Sequence, residues 1–80
     1  MKIPRDIGGD DLVKLLKKYG YQITRQTGNH IRLTSTFKGE HHLTIPKYKP
    51  IKIGTLNNIL NDVADYIKKD KQKIIEELFG

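Results

Sequence analysis

The chain has 80 residues, with 15 Lys plus Arg against 9 Asp plus Glu, a net charge of +6 and no cysteine. At that length one hydrophobic core gives only marginal stability and there is no room for a second, so residues 1–80 are expected to form a single domain. Without cysteine neither a disulfide framework nor a thiolate zinc site is available, and helix-on-sheet packing must hold the fold. No stretch approaches the ~20 apolar residues of a membrane span, and Met1-Lys2-Ile3-Pro4-Arg5-Asp6 has no apolar run of signal-peptide length, which predicts a soluble, cytoplasmic chain with no membrane partner.

The first helix is expected from Gly9 to Tyr19, because Leu12, Leu15, Leu16 and Tyr19 recur at helical spacing while Asp11, Lys14, Lys17 and Lys18 point elsewhere. Asp10 and Asp11 suit the positive end of its dipole, Lys17 and Lys18 the negative end, and Gly20 a left-handed stop. The period then changes to two: Tyr21 to Gln26 and His30 to Ser35 alternate as strands, joined by a three-residue loop, Thr27-Gly28-Asn29, whose Gly and Asn tolerate positive φ. A second turn at Phe37-Lys38-Gly39 leads to a third strand, His41 to Ile45, ended by Pro46. Leu56, Ile59, Leu60, Val63 and Ile67 give a second amphipathic helix over Gly54 to Ile67. Asp70 suits an N-cap for a short third helix carrying Ile74, Ile75, Leu78 and Phe79, either separate from the second or continuous with it.

The apolar residues set the register, since a one-residue slip would turn a strand's apolar set to solvent. Pairing Ile23 with Leu33 and Leu33 with Leu43 keeps one face apolar across all three strands, puts Gln26, His30 and Pro46 in one row, and sets Arg32 beside Thr44. The expected fold is α+β: a two-layer α-β-β-β-α(-α) arrangement, with a three-stranded antiparallel sheet carrying its helices on one face.

Charge adds a functional constraint. Residues 1–60 hold 11 basic and 4 acidic side chains, a net of +7, whereas residues 61–80 hold 4 and 5, a net of −1. The basic front three quarters would attract phosphate polymers through counterion release; the alternative is a merely soluble basic surface. Lys68, Lys69, Lys71 and Lys73 alternate with acids and read as a solvated helix face.

This element order is that of the double-stranded-RNA-binding fold, and the motifs along it resemble the HicA-type (YcfA-like) mRNA interferase toxins. The motifs are Pro4-Arg5, the helix from Gly9 to Gly20-Tyr21, Arg25-Gln26-Thr27-Gly28-Asn29-His30, Thr44-Ile45-Pro46 and Lys52-Ile53-Gly54-Thr55-Leu56. Asn29 stands where the family usually has Ser, Ile53 where it often has Pro, and Lys47-Tyr48-Lys49-Pro50 where many members carry a His-Gly-Asn-like turn. The resemblance implies a cytoplasmic endoribonuclease that cuts mRNA and so inhibits translation. It implies no cofactor, a catalytic role for His30, and silencing by a cognate HicB-type antitoxin, the chain being a monomer when free and a hetero-oligomer with the antitoxin.

The residues themselves fit that chemistry. Cutting RNA without a metal needs a base near the ribose 2′-OH, a proton for the departing 5′-oxygen and positive charge for the phosphorane between them. Histidine suits the first two, because its ordinary pKa of ~6.5 leaves both protonation states accessible near neutral pH. Lysine and arginine supply the third. In the expected register Lys47 and Lys49 follow the row-mate of His30 and reach the same phosphate, and Arg32 shares the face of His30 while Arg25 points to the opposite one. Lys47, Tyr48, Lys49 and Lys52 precede the exposed N–H groups of Gly54 and Thr55, an arrangement that grips phosphate. The expected RNA-binding set is therefore Gly28, Asn29, Arg32, Lys47, Lys49, Lys52 and Thr55.

His41 has the parity of the apolar face. His42 shares the face of His30 but lies four residues along, about 13 Å at ~3.3 Å per residue, too far for a shared proton transfer. Three histidines on two faces, with Glu40 the one nearby carboxylate, do not make a metal ligand set. Two other readings follow from the same residues: a non-catalytic double-stranded-RNA-binding module, and a protein-interaction domain whose charge is incidental.

Overall fold

A computed structural model describes residues 3–80, so Met1 and Lys2 of the N-terminal stretch lie outside the described residues. In chain order the elements are α1 (Gly9–Leu16), a 3-10 turn (Lys17–Tyr19), β1 (Gln22–Thr27), β2 (His30–Ser35), β3 (His41–Pro46), α2 (Ile53–Ile67) and α3 (Lys71–Phe79). The strands form one antiparallel sheet in the order β1-β2-β3. This is the expected α+β fold of the double-stranded-RNA-binding type.

Each helix forms where its sequence pattern places it. Leu12, Val13 and Leu16 of α1 are buried, and Asp11 Oδ2 accepts the Gly8 N–H at 3.2 Å, satisfying a donor at the helix start. The first helix tightens to 3-10 geometry for its last three residues and stops at Gly20, φ 84. Helix α2 buries Leu56, Ile59, Leu60, Val63, Ala64 and Ile67. It ends because Lys68 adopts φ 66 and ψ 43, so α3 is a separate helix. Asp70 occupies the N-cap position of α3, where its carbonyl, not its side chain, accepts the Ile74 N–H at 3.1 Å.

The register of β2 against β3 is the expected one throughout: His30 pairs with Pro46, Arg32 with Thr44, Leu33 with Leu43 and Thr34 with His42. Between β1 and β2 the expected pairing of Ile23 with Leu33 is present, but the register then shifts by one residue between Ile23 and Arg25. Thr24 is the extra residue of a β-bulge. Its hydroxyl lies 2.9 Å from Thr34 Oγ1 and donates to the Arg32 carbonyl at 3.4 Å. Downstream of the bulge Arg25 pairs with Arg32, Gln26 with Ile31 and Thr27 with His30. Thr27 therefore replaces Gln26 in the row of His30, and the hairpin loop shortens from three residues to two.

The core lies between the helices and one face of the sheet, with Ile31, Leu33, Leu43 and Ile45 buried beneath α1 and α2. Both helices pack against β3, and β1 extends beyond them, exposed along its whole length. Ile23, aligned with the core residue Leu33, is therefore 48% exposed. It borders a groove of about 350 Å³ shared with Lys17, Gly20, Tyr21 and Gln22.

The end of the sheet where β2 turns into β3 is closed by paired polar groups. The Ser35 hydroxyl, fully buried, donates to the Tyr19 carbonyl at 2.9 Å and accepts from the Phe37 N–H at 3.2 Å. Tyr66 Oη donates to the Gly39 carbonyl at 2.5 Å and accepts the Lys38 N–H at 2.7 Å, fixing the turn. Tyr21 Oη lies 2.7 Å from His41 Nδ1, and the His41 ring stacks on Tyr66 at 4.5 Å. Burial pushes the Tyr21 and Tyr19 phenols well above the ordinary tyrosine range, with neighbouring Tyr66 and Glu77 respectively adding to it. Helix α3 is clasped by Glu77, which accepts from Lys69 Nζ at 2.8 Å and from Tyr19 Oη at 2.6 Å; these two hydrogen bonds hold its carboxyl below the usual carboxylate range. Lys71 Nζ donates to Asn57 Oδ1. Two of the lysines expected to be solvated thus hold α3 in place.

Candidate active site

The opposite end of the sheet, where β1 turns into β2, is built on close backbone approaches. Gly28 takes φ 51 while Asn29 keeps a negative φ, which is a two-residue hairpin turn with glycine in its first central position. The positive-φ tolerance of asparagine is not used. The Asn29 carbonyl accepts the Lys47 N–H at 2.6 Å, tying this turn to the segment that leaves β3. From the helix side, the Gly9 N–H donates to the Tyr48 carbonyl at 3.0 Å. A Cβ at position 9 would collide with the Pro46 carbonyl oxygen, so the start of α1 approaches this segment as only glycine can. The Ile51 N–H donates to the Ile7 carbonyl at 2.9 Å, and the chain then enters α2.

His30 opens β2 at this end. It is exposed, with Thr27 across one side and Pro46 across the other. Among the described residues its ring has no hydrogen-bond, ion-pair or aromatic partner. The other two histidines are engaged. His41 is held by Tyr21 and Tyr66, and His42 lies between Thr34 Oγ1 at 2.8 Å and Glu40 Oε1 at 3.1 Å. Among the described residues no group of three or more His, Cys, Asp or Glu side chains is placed to hold a metal ion.

The expected site residues fall into two groups. Gly28, Asn29, His30 and Arg32 lie on the hairpin, with Lys47 joined to it through the Asn29 carbonyl. Lys49, Lys52 and Thr55 belong to the helix starts instead. The Lys49 stem lies over Gly8, where a Cβ would meet it at 3.3 Å; Lys52 is the N-cap of α2; and Thr55, half-buried, sits in the first turn of α2. Tyr48 between the two groups is 51% exposed.

Arg25 is the residue that sequence reasoning set aside. The bulge at Thr24 brings it opposite Arg32, and cross-strand partners share a face, so both arginines stand on the open face with His30. A signal for this exists in the chain. A two-residue Gly28-Asn29 turn demands that Thr27 pair with His30, whereas the apolar pairing of Ile23 with Leu33 implies a register one residue different, and only an inserted residue reconciles them.

A family model described as HicA toxin of bacterial toxin-antitoxin matches residues 9–64, well over half of the chain. The chain belongs to the HicA toxin family. No curated protein and no solved structure gives a significant match. The HicA match begins at Gly9, the glycine against Pro46, and takes in the whole sheet, His30, the basic segment and most of α2, while α3 lies beyond it. Membership makes the chain a toxin of a toxin–antitoxin system. Among the described residues no helix is long and apolar enough to cross a membrane.

Proposed function

We propose that this HicA-family toxin is an endoribonuclease that cuts mRNA in the cytoplasm without a metal or other cofactor, with His30 as its acid–base group. The observation that carries the reading is the state of the three histidines: His41 and His42 are held by neighbours, whereas His30 stands exposed with no partner among the described residues. A neutral imidazole takes the 2′-OH proton as the 2′-oxygen attacks phosphorus, and an imidazolium returns a proton to the departing 5′-oxygen. Lys47 is the nearest of the loop lysines by connection, and Lys49, Lys52 and Thr55 at the helix starts guide the RNA backbone on either side of the cut. A cognate HicB-type antitoxin silences the toxin by covering His30, converting a free monomer into a hetero-oligomer.

The test is induction of the parent and of His30→Ala in bacteria, with loss of full-length mRNA as the readout, followed by cleavage of purified RNA in EDTA. Growth arrest and RNA loss with the parent alone, and cleavage that survives EDTA, are expected. Equal RNA cleavage by the parent and His30→Ala sinks the assignment.

The fold itself favours a second reading, a non-catalytic module that reads duplex RNA by shape across its minor grooves. That module binds duplex with a steep salt dependence and cuts nothing. Charge reversal at Lys47 and Lys49 abolishes its binding, and His30→Ala leaves it unchanged.

A further inference from the structure

We propose that Arg25 and Arg32 together form a phosphate clamp on the open sheet face, two residues along from His30, that holds the RNA backbone at the point of cleavage. The inference rests on the ribonuclease reading for the identity of the phosphate, and on the pairing of the two arginines for the site itself. They are directly opposed across β1 and β2. Both are exposed, and among the described residues neither guanidinium has a hydrogen-bond or ion-pair partner. Like charges directly opposed across a sheet are unfavourable. The nearest acid on the adjoining strand segment, Glu40, is engaged with His42 at the far end of the face.

The arrangement is also pinned in place. A regular register would have turned Arg25 to the helix side, away from Arg32. The extra residue Thr24 prevents this, and its hydroxyl is anchored to Thr34 Oγ1 at 2.9 Å and to the Arg32 carbonyl at 3.4 Å. Bulges beside a site characteristically re-aim a side chain. Here the re-aimed side chain is a second arginine, and the row it joins is completed by Thr44, an uncharged hydroxyl. Two guanidinium forks carried on directly opposed strand positions can converge on the non-bridging oxygens of one phosphodiester, since a fork can bind an oxygen pair in parallel. Arg32 is two residues from His30 on β2, about 6.6 Å at ~3.3 Å per residue, within the span of an arginine side chain. A phosphate held by the pair therefore sits beside the His30 imidazole. The anion also relieves the mutual repulsion of the arginines, so binding and folding are linked.

The test uses full-length protein carrying His30→Ala, so that RNA stays intact, and a short single-stranded RNA oligonucleotide as probe. Arg25→Gln in that background is expected to weaken RNA binding about tenfold, the value of one charge-assisted hydrogen-bonding group. It should also lower the slope of log affinity against log salt by about 0.7 for each phosphate the protein no longer neutralises. Arg25→Lys should recover the slope and only part of the affinity, because an ammonium keeps the charge without the fork. In low salt without RNA, the melting temperature of Arg25→Gln should equal or exceed that of its background. Unchanged affinity and slope overturn the clamp; weaker binding that comes with a lower melting temperature assigns Arg25 to packing and overturns it equally. Cleavage by otherwise native protein separates this inference from the reading beneath it. A parent that cuts no RNA, alongside an Arg25-dependent salt slope, removes the ribonuclease and leaves the clamp.

Discussion

The two ends of the sheet treat their polar side chains in opposite ways. At the end closed by the turn between β2 and β3, Ser35, Tyr66, Tyr21 and His41 satisfy one another and the nearby backbone, and no buried side-chain nitrogen or oxygen lacks a partner among the described residues. At the other end His30, Arg25 and Arg32 are exposed and have no partner among the described residues, while the backbone around them is tightly tied. Histidine appears in both places with different work to do. A side chain already bonded within the fold stabilises the fold; one held on a rigid frame with nothing to bond is available to a ligand.

The sharpest way to break that contrast is to truncate the two histidines in turn. His30→Ala should lower RNA cleavage by about 10²–10⁴-fold, the range for a positioned acid–base group, and leave the unfolding midpoint unchanged. His41→Ala should do the reverse. It removes the hydrogen-bond partner of a buried phenol and a stacked ring, a loss of about 1–3 kcal/mol of stability, while cleavage measured well below the new midpoint stays at the parent level. Purified variants compared by denaturant unfolding and by a single RNA cleavage assay decide both. If His41→Ala lost activity without losing stability, the division between the two ends would be wrong. Ser35→Ala sharpens the same contrast from the backbone side. It leaves the Tyr19 carbonyl and the Phe37 N–H without their hydroxyl partner, and should cost about 1–3 kcal/mol with cleavage again unaffected.

The helices, the pairing of β2 with β3 and the frame of the site were legible in sequence because apolar spacing encodes them; the polar closure by Ser35, Tyr66, Tyr21 and His41 was not. The alternation of Ile31, Leu33, Leu43 and Ile45 fixed β2 against β3, and helical spacing located α1 and α2 to within a few residues. His30 was legible through its turn. Strand β1 and its Ile23–Leu33 pairing were legible too, but its facing beyond Ile23 was not, and the reason is physical: it lies outside the helix layer and buries none of its side chains, so alternation along it carries no record of which way they face. The bulge at Thr24 fell in that silent strand, and with it the orientation of Arg25. The break between α2 and α3 was left undecided between two separate helices and one continuous helix for another reason. It falls on Lys68, a residue type with no preference for the left-handed conformation it adopts.

That residue offers a smaller test. Lys68→Gly removes the Cβ from a position with φ 66 and should raise stability by up to about 1 kcal/mol, the relief of left-handed strain less the extra freedom glycine gains when unfolded. Cleavage should not change, since the gain is confined to the helical layer. Chemical denaturation of the variant, with the cleavage assay as control, reads both.

The smallest expected effect concerns Glu77 and acid pH. Its carboxyl is held below the usual carboxylate range by hydrogen bonds from Lys69 and Tyr19. A carboxyl whose folded-state pKa is depressed adds stability above its unfolded value, ~4.3 for glutamate, and loses it as pH falls through the folded value. The parent should therefore melt at a higher temperature than Glu77→Gln near neutral pH, and the gap should close as the pH is lowered below the ordinary glutamate range. The pair is partly exposed, with 41% and 27% of the Lys69 and Glu77 side chains accessible, so added salt should narrow the same gap at neutral pH. A gap that closes in acid but ignores salt would mean that Glu77 holds α3 through its bond from Tyr19 more than through Lys69, and a gap independent of both would mean that its charge does not hold α3. In either case His30 lies at the other end of the molecule, and its activity should follow neither variable through Glu77.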